Sequence, residues 1–244
     1  MSKAILFDLD GTLLPMDTKQ FIKDYMAVLA PRVSEYVAPE HFLKSLWEAT
    51  SAVIADLDPQ KTNEQVFEEA FLQAVQVEKE TLWPILDDFD EQVFPTLSYL
   101  SEPTPLAGKI CEEAIAQGYE LAVATNPIFP KAAIEQRLHW AGVGHIPFAV
   151  VTVYEEWCFT KPHEQYYASI CRRMNVSPEQ CVMVGNDVQE DMAASLIGMK
   201  TYLVEGYVID RGEPQYPIDD RGTLEDLYAD LKQGRGLFSM KKDG

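Results

Sequence analysis

Lys3-Ala4-Ile5-Leu6-Phe7 runs directly into Asp8-Leu9-Asp10-Gly11-Thr12-Leu13. The apolar run is short enough for one buried strand, and Gly11 breaks it. Two carboxylates two positions apart on a strand share a face, with Leu9 turned to the other. Like charges this close repel, and burying them costs on the order of several kcal/mol each. A chain holds such a pair where a cation or a proton-transfer task requires it. Here it stands at the end of the first strand, the edge where α/β sheets keep their active sites.

Four more short apolar runs, at 119–125, 147–153, 180–184 and 200–204, predict strands. Helical patterns at 130–141, 163–174 and 188–197 alternate with them, and a helix at 105–117 leads into the second run with Gly118 as its stop. Such alternation predicts an α/β fold, a parallel sheet with helices on both faces. Residues 16–100 differ: apolar side chains recur at helical spacing near 17–30, 39–56, 63–77 and 79–100, punctuated by Pro31, Pro39 and Pro59. The segment predicts an all-helical cap domain inserted after the first strand, with 1–15 and 101–244 forming the core. The Gly-, Pro- and Asp-rich stretch 205–222 is expected as a surface loop, followed by a helix near 223–232 and a frayed end at 241–244.

The chain has 244 residues and a formal charge of −19, enough for one large domain or two smaller ones. Such acidity argues against nucleic acid, whose phosphates need clustered Lys and Arg. A small phosphate substrate stays available if a metal and a few placed cations neutralise it locally. Cys111, Cys158, Cys171 and Cys181 form no C-x-x-C pair, which argues against zinc. The N-terminal apolar run meets Asp8 too soon for a signal peptide, and no stretch is long enough to span a membrane. The expectation is a cytoplasmic protein.

Each polar cluster of the α/β part falls at or just beyond a strand's C-terminal end: Asp8 and Asp10, then Thr125 and Asn126, then Lys161, then Gly185, Asn186, Asp187, Glu190 and Asp191. Clusters at one sheet edge converge on one crevice. Asp8 can act as a nucleophile when a cation aligns an electrophile against it. Asp10 can then donate a proton to a leaving oxygen and later take one from water. Thr125 and nearby N–H groups suit phosphate oxygens, and Lys161 supplies charge where a phosphoryl transition state becomes negative. Asp187 with Asp8 forms a hard oxygen set suited to Mg²⁺.

Taken together, in order and at these spacings, the clusters resemble the four motifs of the haloacid dehalogenase-like hydrolases. Motif one corresponds to Asp8-Leu9-Asp10-Gly11-Thr12-Leu13, motif two to Thr125-Asn126, motif three to Lys161-Pro162, and motif four to Gly185-Asn186-Asp187 with Asp191. The resemblance implies a Rossmann-like core and an aspartyl phosphate formed on Asp8. It also implies that the Asp10 backbone carbonyl contacts Mg²⁺, and that the helical insert closes over small substrates. Asp10 disfavours a dehalogenase, which lacks the second carboxylate of motif one. The expected protein is a Mg²⁺-dependent phosphatase of a small phosphorylated metabolite. Asp8 and Asp10 are its catalytic residues, Thr125, Asn126 and Lys161 its phosphate-binding residues, and Asp8, Asp10 and Asp187 its metal ligands.

Motif four departs from the common Gly-Asp start, because Asn186 follows Gly185. The ligand role goes to Asp187, with Asn186 as its alternative and Asp191 supporting. A sugar-phosphate mutase or other phosphotransferase carries the same motifs, and a non-catalytic regulatory protein can retain the fold. Asp17, Lys19 and Lys23 follow the motif-one turn and are candidates for substrate selection. The sequence names neither the substrate nor an oligomeric state.

Overall fold

The computed structural model describes residues 4–239. Lys3, at the start of the first expected strand, and the 241–244 end lie outside the described residues.

Six parallel strands form one sheet: β1 (Ala4–Phe7), β2 (Glu120–Val123), β3 (Val150–Val151), β4 (Cys181–Gly185), β5 (Lys200–Val204) and β6 (Asp220–Gly222). Their spatial order is β3-β2-β1-β4-β5-β6. β1 lies at the centre, with Ile5 opposite Leu121 on one side and Val182 on the other. All four of its side chains are fully buried, so an uninterrupted apolar run is what the position demands. Burial of Ile5, Leu6 and Phe7 contributes roughly 1.5–3 kcal/mol each. The order reverses between β1 and β4, and a crevice opens there at the strand ends. This is the α/β core that the alternating pattern predicts, Rossmann-like as the resemblance implies.

Between β1 and β2 the described residues are helical. α1 (Thr18–Leu29), α2 (Pro39–Ala55), α3 (Asn63–Val75) and α4 (Lys79–Asp88) follow one another. Asp17 caps α1 by accepting the Gln20 N–H at 3.0 Å. Thr62 and Gln65 form a capping box at α3. Where the sequence predicts one helix over 79–100, the backbone changes pitch. α4 stops at Asp88, a wide π turn covers Phe89–Val93, and a 3₁₀ segment runs Phe94–Leu100. Pro95 lacks an N–H to donate into the preceding turn.

The insert is tied to the core at several places. Its entry and exit meet where the Glu102 N–H donates to the Pro15 carbonyl, at 2.8 Å. Asn63, at the start of α3, donates its backbone N–H to Trp157 O (2.6 Å) and its side-chain amide to Pro127 O (2.9 Å). Phe94 stacks on Trp140 with ring centroids 5.1 Å apart. Trp140 belongs to α6 (Lys131–Trp140), which follows α5 (Pro105–Ala116) and β2.

After α7 (Glu164–Met174) two segments differ from expectation. The helix expected over 188–197 is a 3₁₀ stretch confined to Met192–Ile197, because the residues before it are committed to side-chain-capped turns described below. The loop expected over 205–222 ends in β6, whose three residues pair with Tyr202–Val204. Asp220-Arg221-Gly222 carries no apolar alternation, so only the open edge of β5 makes it a strand. α8 (Leu224–Gln233) closes the fold, capped by Thr223. No helix among the described residues is long and apolar enough to cross a membrane.

Candidate active site

Asp8 follows β1 without a break, and its backbone N–H still pairs with Val184 O at 2.8 Å. The strand ladder therefore fixes this carboxylate. Lys161 comes from the loop after β3 and is 2 % exposed. Its Nζ lies 2.7 Å from Asp8 Oδ1 and 2.6 Å from Asp191 Oδ1. Burial works to lower the Lys161 pKa, but the Asp191 and Asp8 carboxylates overcome it and hold the ammonium well above its ordinary value. The lysine is a fixed positive charge beside the first carboxylate of motif one.

Asp191 works at both its oxygens. Its Oδ2 accepts the Asp187 N–H at 2.9 Å, which folds the motif-four turn onto Lys161. Gly185 is required beneath it, since a Cβ there would stand 2.1 Å from Asp191 Oδ2. Gly11 is required for a similar reason: its φ is +87°, and a Cβ would stand 2.3 Å from the Asn186 amide nitrogen. The two glycines let motifs one and four approach each other.

Between those motifs stands Thr12. Its Oγ1 lies 3.3 Å from Asp8 Oδ2 and 3.0 Å from Asn186 Oδ1, while the Asn186 amide donates to Tyr207 O at 2.7 Å. One hydroxyl proton cannot serve two acceptors. This corner thus holds more oxygen acceptors than donors, which fits a hard cation such as Mg²⁺.

The Asp187 carboxylate turns elsewhere. Its Oδ1 accepts from the N–H groups of Gln189 (3.0 Å) and Glu190 (2.9 Å) and from the Arg211 guanidinium (2.7 Å). The Asp10 carboxylate is taken by Arg137, through Nη1 and Oδ2. Asp8, Asp10 and Asp187 accordingly do not gather as a three-carboxylate metal cluster among the described residues. The reason is that an arginine claims the side chain of each of the last two.

Motif two buttresses the crevice. The Thr125 carbonyl accepts from Thr152 Oγ1 (2.6 Å) and Tyr166 OH (2.7 Å), while Thr125 itself is buried. The Asn126 amide ties the motifs together: Nδ2 donates to Glu190 Oε2 (3.2 Å) and Oδ1 accepts the Lys161 N–H (3.3 Å). Its side chain is therefore spent on holding the loops. Burial, helped by Asp187 and opposed by Lys161 and Arg211, pushes the Glu190 carboxyl up to about 7.

Thr12, Arg137 and Arg211 are polar members of this site that residue patterns did not single out. Arg137 had a signal: it lies among the buried positions Ala133, Ile134, Leu138 and Ala141 of the α6 region, where a charge is out of place. Its guanidinium stacks 4.5 Å above the Phe129 ring, and its Nε reaches Ala133 O at 3.2 Å. Its Nη2 and the Asp10 Oδ1 are both buried without a hydrogen-bond partner. Arg211 had no signal, standing in the Gly- and Pro-rich stretch after β5. Asp17, Lys19 and Lys23 begin α1; Lys19 and Lys23 border a surface groove formed with Pro31, Pro39 and Trp47.

Known proteins resemble this chain in sequence and fold. The chain is 28 % identical to a glyceraldehyde 3-phosphate phosphatase from Methanothermobacter thermautotrophicus, over 93 % of this chain and all of that protein. It is 24 % identical to the pyrophosphatase PpaX of Bacillus velezensis, covering 91 % of this chain and 94 % of that one. The crystal structure of a HAD phosphatase from Thermococcus onnurineus superposes with a TM-score of 0.61 at 22 % identity, over 94 % of this chain and 97 % of the other. Residues 2–196 match the haloacid dehalogenase-like hydrolase family. With its parallel core and four motifs gathered at one sheet edge, this chain belongs to that family of hydrolases.

Proposed function

We propose that the protein is a Mg²⁺-dependent phosphatase acting on a small phosphomonoester through an aspartyl phosphate on Asp8. The observation that carries this reading is Asp8 Oδ1 held 2.7 Å from a buried lysine at the crevice floor. Lys161 holds the nucleophile's carboxylate in place and opposes the charge that gathers on the phosphoryl oxygens. An Asp8 oxygen attacks phosphorus, and the bond to the leaving alkoxide breaks. The alkoxide takes the Asp10 proton. Asp10 then accepts a proton from water as that water attacks phosphorus, which releases phosphate and restores Asp8. Thr125, through its hydroxyl and the following N–H groups, holds phosphoryl oxygens. The helical insert serves as a cap over residues 16–100, excluding water and selecting the leaving group. The phosphatases among the relatives support hydrolysis over transfer to a second sugar phosphate.

The Asp8 carboxylate, the Asp10 backbone carbonyl and the Asn186 amide oxygen would hold the metal. When bound, Mg²⁺ neutralises the approach of one anion to another. Hydrolysis of a chromogenic aryl phosphate should require Mg²⁺ and stop with EDTA. Asn186→Ala should raise the Mg²⁺ concentration for half-maximal rate at least tenfold, and Asp187→Ala should raise it less. The reverse order would return the ligand role to Asp187, and turnover that ignores EDTA would refute the metal requirement.

Arg137 positions the general acid. Burial holds the Asp10 carboxyl above its ordinary range, and the arginine pulls the other way. Removing that cation raises the pKa of Asp10. The acid step then survives to higher pH and the base step needs higher pH, so the optimum moves upward whichever step limits. Arg137→Met is expected to lower kcat about tenfold or more and shift the kcat–pH profile alkaline. A lowered rate with an unmoved profile would leave Arg137 a packing role only.

A further inference from the structure

A chamber of about 460 Å³ lies between the helical insert and the loop following motif two. Ile128, Phe129 and Pro130 form its core-side wall, and they begin two residues after Asn126. The Phe129 ring carries Arg137, which holds Asp10, so one layer of side chains separates the chamber from the general acid. The chamber shares no lining residue with Asp8, Asp10, Thr125 or Lys161, and a leaving group that reaches past the Phe129–Arg137 layer would enter here.

The chamber combines aromatic walls with uncompensated negative charge. Tyr25, Phe67, Trp83 and Phe129 supply ring surface. Glu64, Asp87, Asp90, Glu91 and Glu155 supply carboxylates against a single lining cation, Lys79. That lysine is already paired with Glu68 at 2.6 Å. Asp87 and Asp90 have no ion-pair partner among the described residues. Burial, with Asp87 adding to it and Arg137 opposing, pushes the Asp90 carboxyl up to about 7. Tyr25 is 8 % exposed, and its hydroxyl has no hydrogen-bond partner among the described residues. An anionic leaving group would meet repulsion here, and a neutral polyol would leave the carboxylates uncompensated. A cation with an apolar outer shell answers both the rings and the charge.

We infer that the chamber selects a phosphate ester whose leaving group is a short alkyl chain ending in an ammonium or quaternary ammonium group. This rests on the phosphatase reading and names its substrate class. Aromatic faces contact the alkylated nitrogen, and Asp87 and Asp90 balance its charge. The ester oxygen then lies toward Asp10.

Two measurements on the whole protein test it. Choline alone, titrated calorimetrically without substrate, should bind wild type and bind Asp90→Asn at least tenfold more weakly. With phosphocholine, kcat/KM should exceed that for glycerol phosphate and phosphoglycolate at least tenfold. That preference should collapse in Asp90→Asn and in Trp83→Leu. Choline binding without turnover of any phosphate ester would keep the chamber assignment and refute the phosphatase reading. Turnover of aryl phosphate with no choline binding and no preference for phosphocholine would overturn the chamber assignment and keep the phosphatase. Equal choline affinity in wild type and in both variants would also overturn it.

Discussion

Asp8→Asn is expected to lower aryl phosphate hydrolysis by roughly 10³-fold or more without unfolding the protein. An amide in that position has no negative oxygen to attack phosphorus. Lys161 and Asp191 remain 2.6 Å apart as a simple pair, since wild type crowds two carboxylates onto one ammonium. Removing one of two like charges relieves repulsion, so the melting temperature should hold or rise. Parallel kcat and thermal-melt measurements check this. Retention of more than a tenth of wild-type activity would refute Asp8 as the nucleophile.

Lys161→Met is expected to damage both activity and stability. The lysine is 2 % exposed and is the cation touching both Asp8 and Asp191. Without it the two carboxylates face each other in a buried site. Breaking a buried ion pair at one partner costs about 3–5 kcal/mol. At about 2–4 °C per kcal/mol for a chain of this size, the melting temperature should fall by roughly 6–20 °C. The loss should shrink on acidification. In the variant, a buried carboxyl has a folded-state pKa raised above its unfolded value. The folded state then binds the proton more tightly, so stability grows as pH falls through that raised pKa. Mg²⁺ should partly restore the melting temperature through Asp8, and activity should stay lost. A melting temperature equal to wild type at pH 8 would refute the buried-charge assignment.

The contrast between these two substitutions separates chemistry from architecture. Loss of Asp8 is expected to stop the reaction and leave the fold intact, whereas loss of Lys161 is expected to damage both. Such sites trade stability for preorganised charge.

Much of the core was legible because its signals are local. A four-residue apolar run with both neighbours in the sheet must be apolar at every position, as Ala4–Phe7 is. Asp17, Thr62, Thr104 and Thr223 start helices by accepting an N–H from the helix's own first turn. The edge strand Asp220–Gly222 was not, because its pairing comes from β5 and not from its own pattern. The pitch change after Asp88 was equally hidden, since apolar spacing barely separates α, π and 3₁₀ turns over a few residues.

The same division runs through the site. The order and spacing of Asp8, Thr125, Lys161 and Asp191 announced a crevice at the strand ends, because each follows an apolar run closely enough to be carried there by the sheet. Which atoms face one another was a different matter. Arg137 reaches Asp10 across 127 positions, and Arg211 reaches Asp187 across 24. Neither pairing follows from any local period. They depend on where α6 and the loop after β5 pack, which is decided by buried area summed over many residues. Sequence alone determined the α/β core, the helical insert and the residue types that meet at the sheet edge. Tertiary structure decided that arginines take the side chains of Asp10 and Asp187, that the Asn186 oxygen lies against the Thr12 hydroxyl, and that an aromatic, acidic chamber forms between the insert and the loop after motif two. Periodicity and capping are short-range physics, while charge pairing and cavity shape arise only once distant segments are brought together.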